Sequence, residues 1–243
     1  MSQETDTIYS TVQTAIADFK FDDKIANVFP DMIKRSVPGY SHIIANIGIL
    51  AEQYAQPNSY IYDLGCSLGA ATVAMRHRIH APGVKIIAVD NSQAMLERSA
   101  QFLDAEDSPI PVETQCADIT ELEINQCSFA VLNFTLQFIE LEKRLKSIQR
   151  IYDGMLPGGA LILSEKLRFN DPTQEKLLAR HHHDFKRANG YSDLEISQKR
   201  QAIERVLLPE TADDHLNRLR SAGFSVASLW FQSFNFASFI AIK

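Results

Sequence analysis

The sequence is poor in cysteine, has no excess of basic charge and contains no long apolar run. Its three cysteines, Cys66, Cys116 and Cys127, are odd in number and show no paired spacing. That excludes a disulfide framework and a zinc knuckle, and it suits a reducing compartment. They read as small buried residues rather than nucleophiles. A net charge of −6 argues against nucleic acid as the main partner, since no basic tract offsets it. The N-terminal "MSQETDTIYS" has neither a basic nor an apolar region of the signal-peptide kind. No stretch of about 18 apolar residues is available to span a bilayer. The expectation is therefore a cytoplasmic protein that uses neither membrane nor metal. No internal repeat and no low-complexity segment interrupts it.

What is present is a regular alternation. Of the 243 residues, 45% are hydrophobic and 22% charged, enough for one large α/β domain with a sizeable core. Residues 22–56 read as two helices, the first breaking at Pro30, the second carrying Ile43, Ile44, Ile47 and Leu50 on one face. Pro38-Gly39 is the turn between them. From Tyr60 onward, short β-rich runs (60–64, 85–89, 111–115, 128–133, 160–164) alternate with helical patterns (69–78, 92–104, 141–155). This spacing predicts right-handed crossovers and a parallel sheet. "FSVASLWFQ" and "FNFASFIAIK" lie too close together for a crossover and predict an antiparallel hairpin. The expected division is an N-terminal helical segment, 1–57, capping a site built by residues 58–243, with a helical insert near 167–210.

The candidate site lies in "YIYDLGCSLGAATVAM". A strand ends in Asp63 and turns through Gly65 and Gly69 into a small-residue helix. A dinucleotide fingerprint would place a glycine where Ser67 stands, so a cofactor without a pyrophosphate suits the loop better. A second acid, Asp90, closes the second strand in "IIAVDNSQAM", and a carboxylate there can accept both hydroxyls of a ribose. Asn91 beside it can approach an adenine. A third acid, Asp118 in "CADIT", follows the third strand, with Ile119 offering apolar contact to a ring. Any one of the three acids reads equally well as a helix cap. Three in order, each just past a strand and combined with the glycine loop, read as a cofactor site at the carboxyl ends of the strands.

The order of elements resembles the class I S-adenosylmethionine-dependent methyltransferase fold, a seven-stranded, mostly parallel α/β sheet ending in an antiparallel hairpin. More narrowly, "YDLGCSLGAAT", "VDNSQAM", "CADI", "VLNFTLQF" and "LSEKL" resemble carboxy-S-adenosyl-L-methionine synthases, from the "VPGY" segment to the last hairpin. The resemblance implies conversion of S-adenosylmethionine and prephenate to carboxy-S-adenosylmethionine and phenylpyruvate, in the pathway that modifies the tRNA wobble uridine. It implies a sulfonium methyl deprotonated to an ylide that captures the carbon dioxide lost from prephenate, and it implies a homodimer. It places the cofactor contacts on Tyr40, Gly65, Cys66, Ser67, Asp90, Asn91, Asp118, Ile119, Asn133 and Arg200. From the residues alone, Arg200 reads as a solvated charge in "SQKRQAIERVL", and Tyr40 equally as a half-buried aromatic at a helix start. Asn133 can orient a reacting centre but is no base; Phe134 and Phe138 either wall a dry pocket or belong to the core. No general base is recognisable. His181, His182 and His183 point in different directions on a helix and read as a solvated face rather than a metal site. A conventional small-molecule methyltransferase, an RNA methyltransferase and a non-catalytic cofactor-binding module remain the competing readings.

Overall fold

A computed structural model describes residues 4–105 and 108–243; residues 1–3, part of the N-terminal segment 1–57, lie outside the described residues. The chain begins with an extended stretch and two helices, α1 (Asp23–Ser36) and α2 (Tyr40–Tyr54). The α/β part follows as β1 (Tyr60–Leu64), α3 (Ala70–Arg76), β2 (Lys85–Asp90), α4 (Gln93–Asp104), β3 (Val112–Cys116), β4 (Cys127–Asn133), α5 (Leu141–Gly154) and β5 (Met155–Lys166). Helices α6 (Pro172–Ala188), α7 (Asp193–Ile203) and α8 (Ala212–Ala222) lead into β6 (Val226–Ser233) and β7 (Phe236–Ile242). Among the described residues the sheet has the order β3-β2-β1-β4-β5-β7-β6. All pairs from β3 to β5 are parallel, and β7 runs antiparallel to both of its neighbours. The expected architecture is thus the observed one.

Burial explains which runs were easiest to recognise. β1, β2 and β4 are buried on both faces, as parallel strands covered by helices must be, so they read as continuous apolar runs. β3 lies at the edge and alternates. Cys116, at its end, is exposed, which corrects the expectation that all three cysteines are buried: an edge strand leaves one side uncovered. Cys66 and Cys127 are buried.

Pro30 does not break α1. The helix continues from Asp23 to Ser36 with Pro30 inside it. A proline there forfeits one hydrogen bond and crowds the preceding turn. Packing of Ile25, Ala26, Val28 and Met32 against Tyr9, Phe19, Leu68 and Met95 outweighs that loss. The stretch ahead of α1 is fastened to α7: Gln198 Nε2 donates to the Tyr9 and Thr11 carbonyls at 2.9 Å, and the Phe19 amide donates to the Ala202 carbonyl at 3.1 Å. Helix starts carry the caps their sequences announce. Ser192 with Glu195 and Thr211 with Asp214 form capping boxes, and Ser92 caps α4. Among the described residues no helix is long and apolar enough to cross a membrane, and no cluster of potential metal ligands is found.

Candidate functional site

The strand order changes direction between β1 and β4, with β2 and β3 on one side and β5 on the other. Such a switch point opens a crevice beyond the carboxyl ends of the strands. Here it is a cavity of about 490 Å³. Its floor is the loops after β1, β2, β3 and β4. Its roof comes from α1, the N-terminal stretch and the helices after β5.

The loop after β1 depends on backbone conformation. Gly65 has φ +82°, and a Cβ there would stand 2.3 Å from Thr135 Oγ1, so only glycine lets the β1 and β4 loops approach this closely. Ser67 and Phe134, neither of them glycine, also have positive φ, +51° and +62°. Strain of this kind concentrates at binding sites. The amides of Gly65 and Cys66 both donate to the Val89 carbonyl, at 2.8 and 2.9 Å, which ties this loop to β2.

The acids sit where β1, β2 and β3 end. Asp63 is buried and accepts from Thr72 Oγ1 at 2.6 Å. Burial pushes its carboxyl up to about 6, with the Thr72 hydrogen bond opposing the shift. Asp90 accepts the Ser67 amide at 2.8 Å and the Ser92 amide at 2.9 Å. Burial raises its pKa, and those amides pull it back. Asp118 is more exposed and accepts the Thr120 amide at 2.8 Å. None of the three is a helix cap: Gly69 and Ser92 stand at the cap positions of α3 and α4, and among the described residues no helix follows β3 before β4. Asp90 and Asp118 hold local turns through amides two residues on, and Asp63 ties β1 to α3. All three also line the cavity, and a carboxylate that has accepted one bond per oxygen keeps lone pairs for a ligand.

Tyr40, Gly65, Cys66, Ser67, Asp90, Asn91, Asp118, Ile119 and Asn133 all line this one cavity. They come from the start of α2 and the ends of four strands, which only the fold could assemble. Burial first, then the Asp63 charge, pushes the Tyr40 hydroxyl upward, so it is a neutral donor. Burial likewise pushes the Cys66 thiol far up and keeps it un-ionised. Asn133 ends β4 with a buried Oδ1 that has no partner among the described residues. A buried acceptor left open on a cavity wall is a place for a ligand donor. Phe134 and Phe138 line the cavity too, together with Phe19, Phe21 and Phe29. The Phe21 ring packs edge-on against Phe138 at 5.3 Å. Arg200 is not brought to this cavity. Its side chain is 60% exposed and paired with Glu204 one turn on.

The histidine run departs from the expected solvated face. His182 is buried: its Nε2 donates to the Ser36 carbonyl at 2.8 Å and its ring packs edge-on against Phe236. Burial, followed by the Lys186 and Lys166 charges, lowers its pKa and keeps the ring neutral. Helix α6 has a side facing α1 and β7, which its sequence alone, rich in charge, does not reveal. The same side carries Lys186, and Lys166 and Lys199 join it on the cavity wall. Sequence reasoning passed over Lys166 and Lys186. A signal did exist: "KL" at the end of a buried strand, and the H-x-x-x-K spacing of His182 and Lys186 on one helix face.

The loop after β4 is rigidly held. Glu165 Oε1 accepts the Leu136 amide at 3.0 Å, and Gln137 Oε1 accepts the Lys166 amide at 3.0 Å. Fully buried Arg144 donates to the Ile139, Gln137 and Leu208 carbonyls and pairs with Glu210. Residues 133–139 are thereby locked from below.

Comparison with known proteins places this architecture. A family profile described as a methyltransferase domain matches residues 61–159. Solved structures resemble the fold at low identity. A putative O-methyltransferase from Nostoc punctiforme superposes with a TM-score of 0.64 at 15% identity, over 91% of this chain and 59% of that longer one. Human N-acetylserotonin methyltransferase in complex with SAM gives a TM-score of 0.62 at 19% identity, over 91% of this chain and 55% of the other. These likenesses confirm the class I methyltransferase fold. The sequence relatives are much nearer. The carboxy-S-adenosyl-L-methionine synthase of Trichlorobacter lovleyi is 59% identical over 100% of both chains. The enzyme of that name from Citrobacter koseri is 55% identical over 98% of this chain and 96% of its own. With identity at this level over the whole length, on a fold whose strand ends converge on one cavity, the chain belongs to the carboxy-S-adenosyl-L-methionine synthase family.

Proposed function

We propose that the cavity binds S-adenosylmethionine and that the enzyme carboxylates it at the expense of prephenate. When bound, S-adenosylmethionine supplies an acidic sulfonium methyl, which exchanges a proton for the carboxylate that prephenate loses. With hydroxide leaving the prephenate ring to take that proton, the products are carboxy-S-adenosylmethionine, phenylpyruvate and water. The released ligand then serves as the carboxymethyl donor for modification of the tRNA wobble uridine.

The residues divide this work by position. Asp90 accepts the two ribose hydroxyls, while Asn91, Asp118 and Ile119 hold the adenine. The β1 loop, at Gly65, Cys66 and Ser67, would line the cofactor's site together with Asp63. Tyr40 donates a hydrogen bond from the roof. Asn133 carries the reading: its open Oδ1 sits at the end of β4, beside the aromatic wall of Phe134 and Phe138. A carboxamide can orient the sulfonium but cannot take a proton from an alcohol, as conventional transfer to oxygen requires. Rate enhancement then rests on holding two substrates together in a dry space. Arg200, exposed on α7, is available to a second copy of the chain. A homodimer would let it meet the new carboxylate through a charge-assisted fork.

Incubation with S-adenosylmethionine and prephenate, followed by mass spectrometry, tests the proposal. The expected products are phenylpyruvate and a cofactor heavier by one carboxylate. Accumulation of S-adenosylhomocysteine with prephenate untouched would replace it by the methyltransferase reading.

A further inference from the structure

One part of the cavity wall is basic. Lys166 ends β5, His182 and Lys186 lie one turn apart on α6, and Lys199 comes from α7. The four side chains meet beneath the end of α1. Two of them are fully employed by the protein. His182 donates to the Ser36 carbonyl at 2.8 Å, and Lys199 Nζ donates to Ser36 Oγ at 2.9 Å and pairs with Asp6 at 3.4 Å. The other two are not. Among the described residues, no side-chain hydrogen bond or ion pair reaches the ammonium of Lys186 or Lys166, and Lys186 is only 8% exposed.

The nearby acids are already committed. Asp6 accepts from Tyr191 and Lys199, Glu175 accepts the Phe169 amide at 2.8 Å, and Glu204 pairs with Arg200. A chain with net charge −6 has thus gathered lysines around one cavity and left two without a counter-ion. An ammonium serving only to cover apolar surface would run its stem along that surface and put its head in open water. Lys186 is held inside instead. Burial, then the neighbouring Lys199, Lys166 and Arg200 charges, brings its pKa down to about 7. An unpaired buried cation is costly to keep, and a folded chain tolerates it where a ligand of opposite charge completes it.

We infer that Lys186, flanked by Lys166 and Lys199, is the docking point for the non-reacting carboxylate of a small dianionic co-substrate. The inference rests on the reaction proposed above and identifies the part of the cavity that receives the carboxyl donor. Of the two carboxylates on such a donor, the one that leaves as carbon dioxide must shed its charge. A fixed cation against it would stabilise the ground state and oppose the reaction. The surviving carboxylate keeps its charge throughout, so binding energy there orients the donor without retarding it. The donor would then lie between two charged ends, with its reactive carbon directed toward Asn133 and the cofactor.

The test uses the full chain with Lys186→Met and, separately, Lys166→Met, which keep side-chain length and remove the charge. For Lys186→Met the KM for prephenate should rise by about 30-fold or more, the range for removing one partner of a buried charge pair. The dissociation constant for S-adenosylmethionine should stay within about two-fold, and melting should not fall, since a buried unpaired cation has been removed. Lys166→Met should move the same KM in the same direction. An unchanged KM for prephenate in folded Lys186→Met overturns the inference. So does an equal loss of S-adenosylmethionine affinity, which would assign the lysines to the cofactor, or a lowered melting temperature with kcat lost and KM unmoved, which would make them structural. If the unaltered protein consumes no prephenate at all, the reaction itself is refuted and the inference with it, an outcome the wild-type control separates from the others.

Discussion

Replacing Asp90 by alanine most directly probes the proposal that the strand-end acids hold the adenosine of S-adenosylmethionine. Its two oxygens accept the Ser67 and Ser92 amides at 2.8 and 2.9 Å, and the residue is 9% exposed. A vicinal diol docked there donates to the same carboxylate from the open side. Hydrogen bonds to a charged group contribute about 1.5–3 kcal/mol each net. Part of that is offset, because burial already disfavours the charged form of Asp90. The expected loss of S-adenosylmethionine affinity is therefore about 1.5–3 kcal/mol in total, or about 10- to 150-fold in Kd. Alanine also releases two backbone amides, so melting should fall as well, and titration calorimetry must be done well below the variant's own transition. Asp90→Asn separates charge from shape: it retains one acceptor but turns an amide donor toward a backbone N–H, so its loss should lie between wild type and alanine. Wild-type affinity, within about two-fold, in a folded Asp90→Ala protein would refute the assignment of Asp90 to the ribose and leave it a turn-holding residue.

Three further outcomes are expected. Gly65→Ala should lower stability by about 1–2 kcal/mol for the left-handed backbone alone, and by more because its Cβ would meet Thr135 2.3 Å away; thermal melting of Gly65→Ala with and without Thr135→Gly separates the two parts, and equal melting of both with wild type would sink the packing account. Burial holds the Glu165 carboxyl up at about 8 against an ordinary 4.5, with Arg144 opposing the shift; between those values the unfolded chain has lost a proton the folded chain keeps, so stability falls as pH rises through that window. Glu165→Gln, which retains the acceptor for the Leu136 amide, should therefore melt above wild type near pH 7.5 and close to it near pH 4.5; a difference independent of pH would show that Glu165 is not the protonated group. Arg200→Ala should weaken carboxy-S-adenosylmethionine by about 2–5 kcal/mol and the plain cofactor much less, with lysine restoring only part; equal losses for both ligands would reduce Arg200 to its exposed pair with Glu204.

Much of this molecule was legible in one dimension because its central strands are buried on both faces. Tyr60–Leu64, Lys85–Asp90 and Cys127–Asn133 are apolar runs bounded by turn residues, a pattern that leaves little choice of structure. The hairpin followed from the short connection between its strands. The acids ending successive strands, with Gly65, marked residues that the fold brings to one cavity, since each lies within a few positions of a strand end. Other features depended on contacts distant in sequence. Whether Pro30 ends α1 is decided by Tyr9, Phe19 and Met95 packing against that helix, and local propensity carries no trace of them. His182 looked solvated because its neighbours in sequence are charged, yet it is buried by Ser36 and Phe236, 146 and 54 positions away. Lys166 and Lys186 were unremarkable for the same reason: a lysine is ordinary on a surface, and only the folding of α6 and α7 over the cavity makes them share a wall with Lys199. The sequence by itself determined the sheet and one end of the site. Tertiary structure decided the other end, because burial of a charge depends on everything packed around it, and that is assembled from the whole chain.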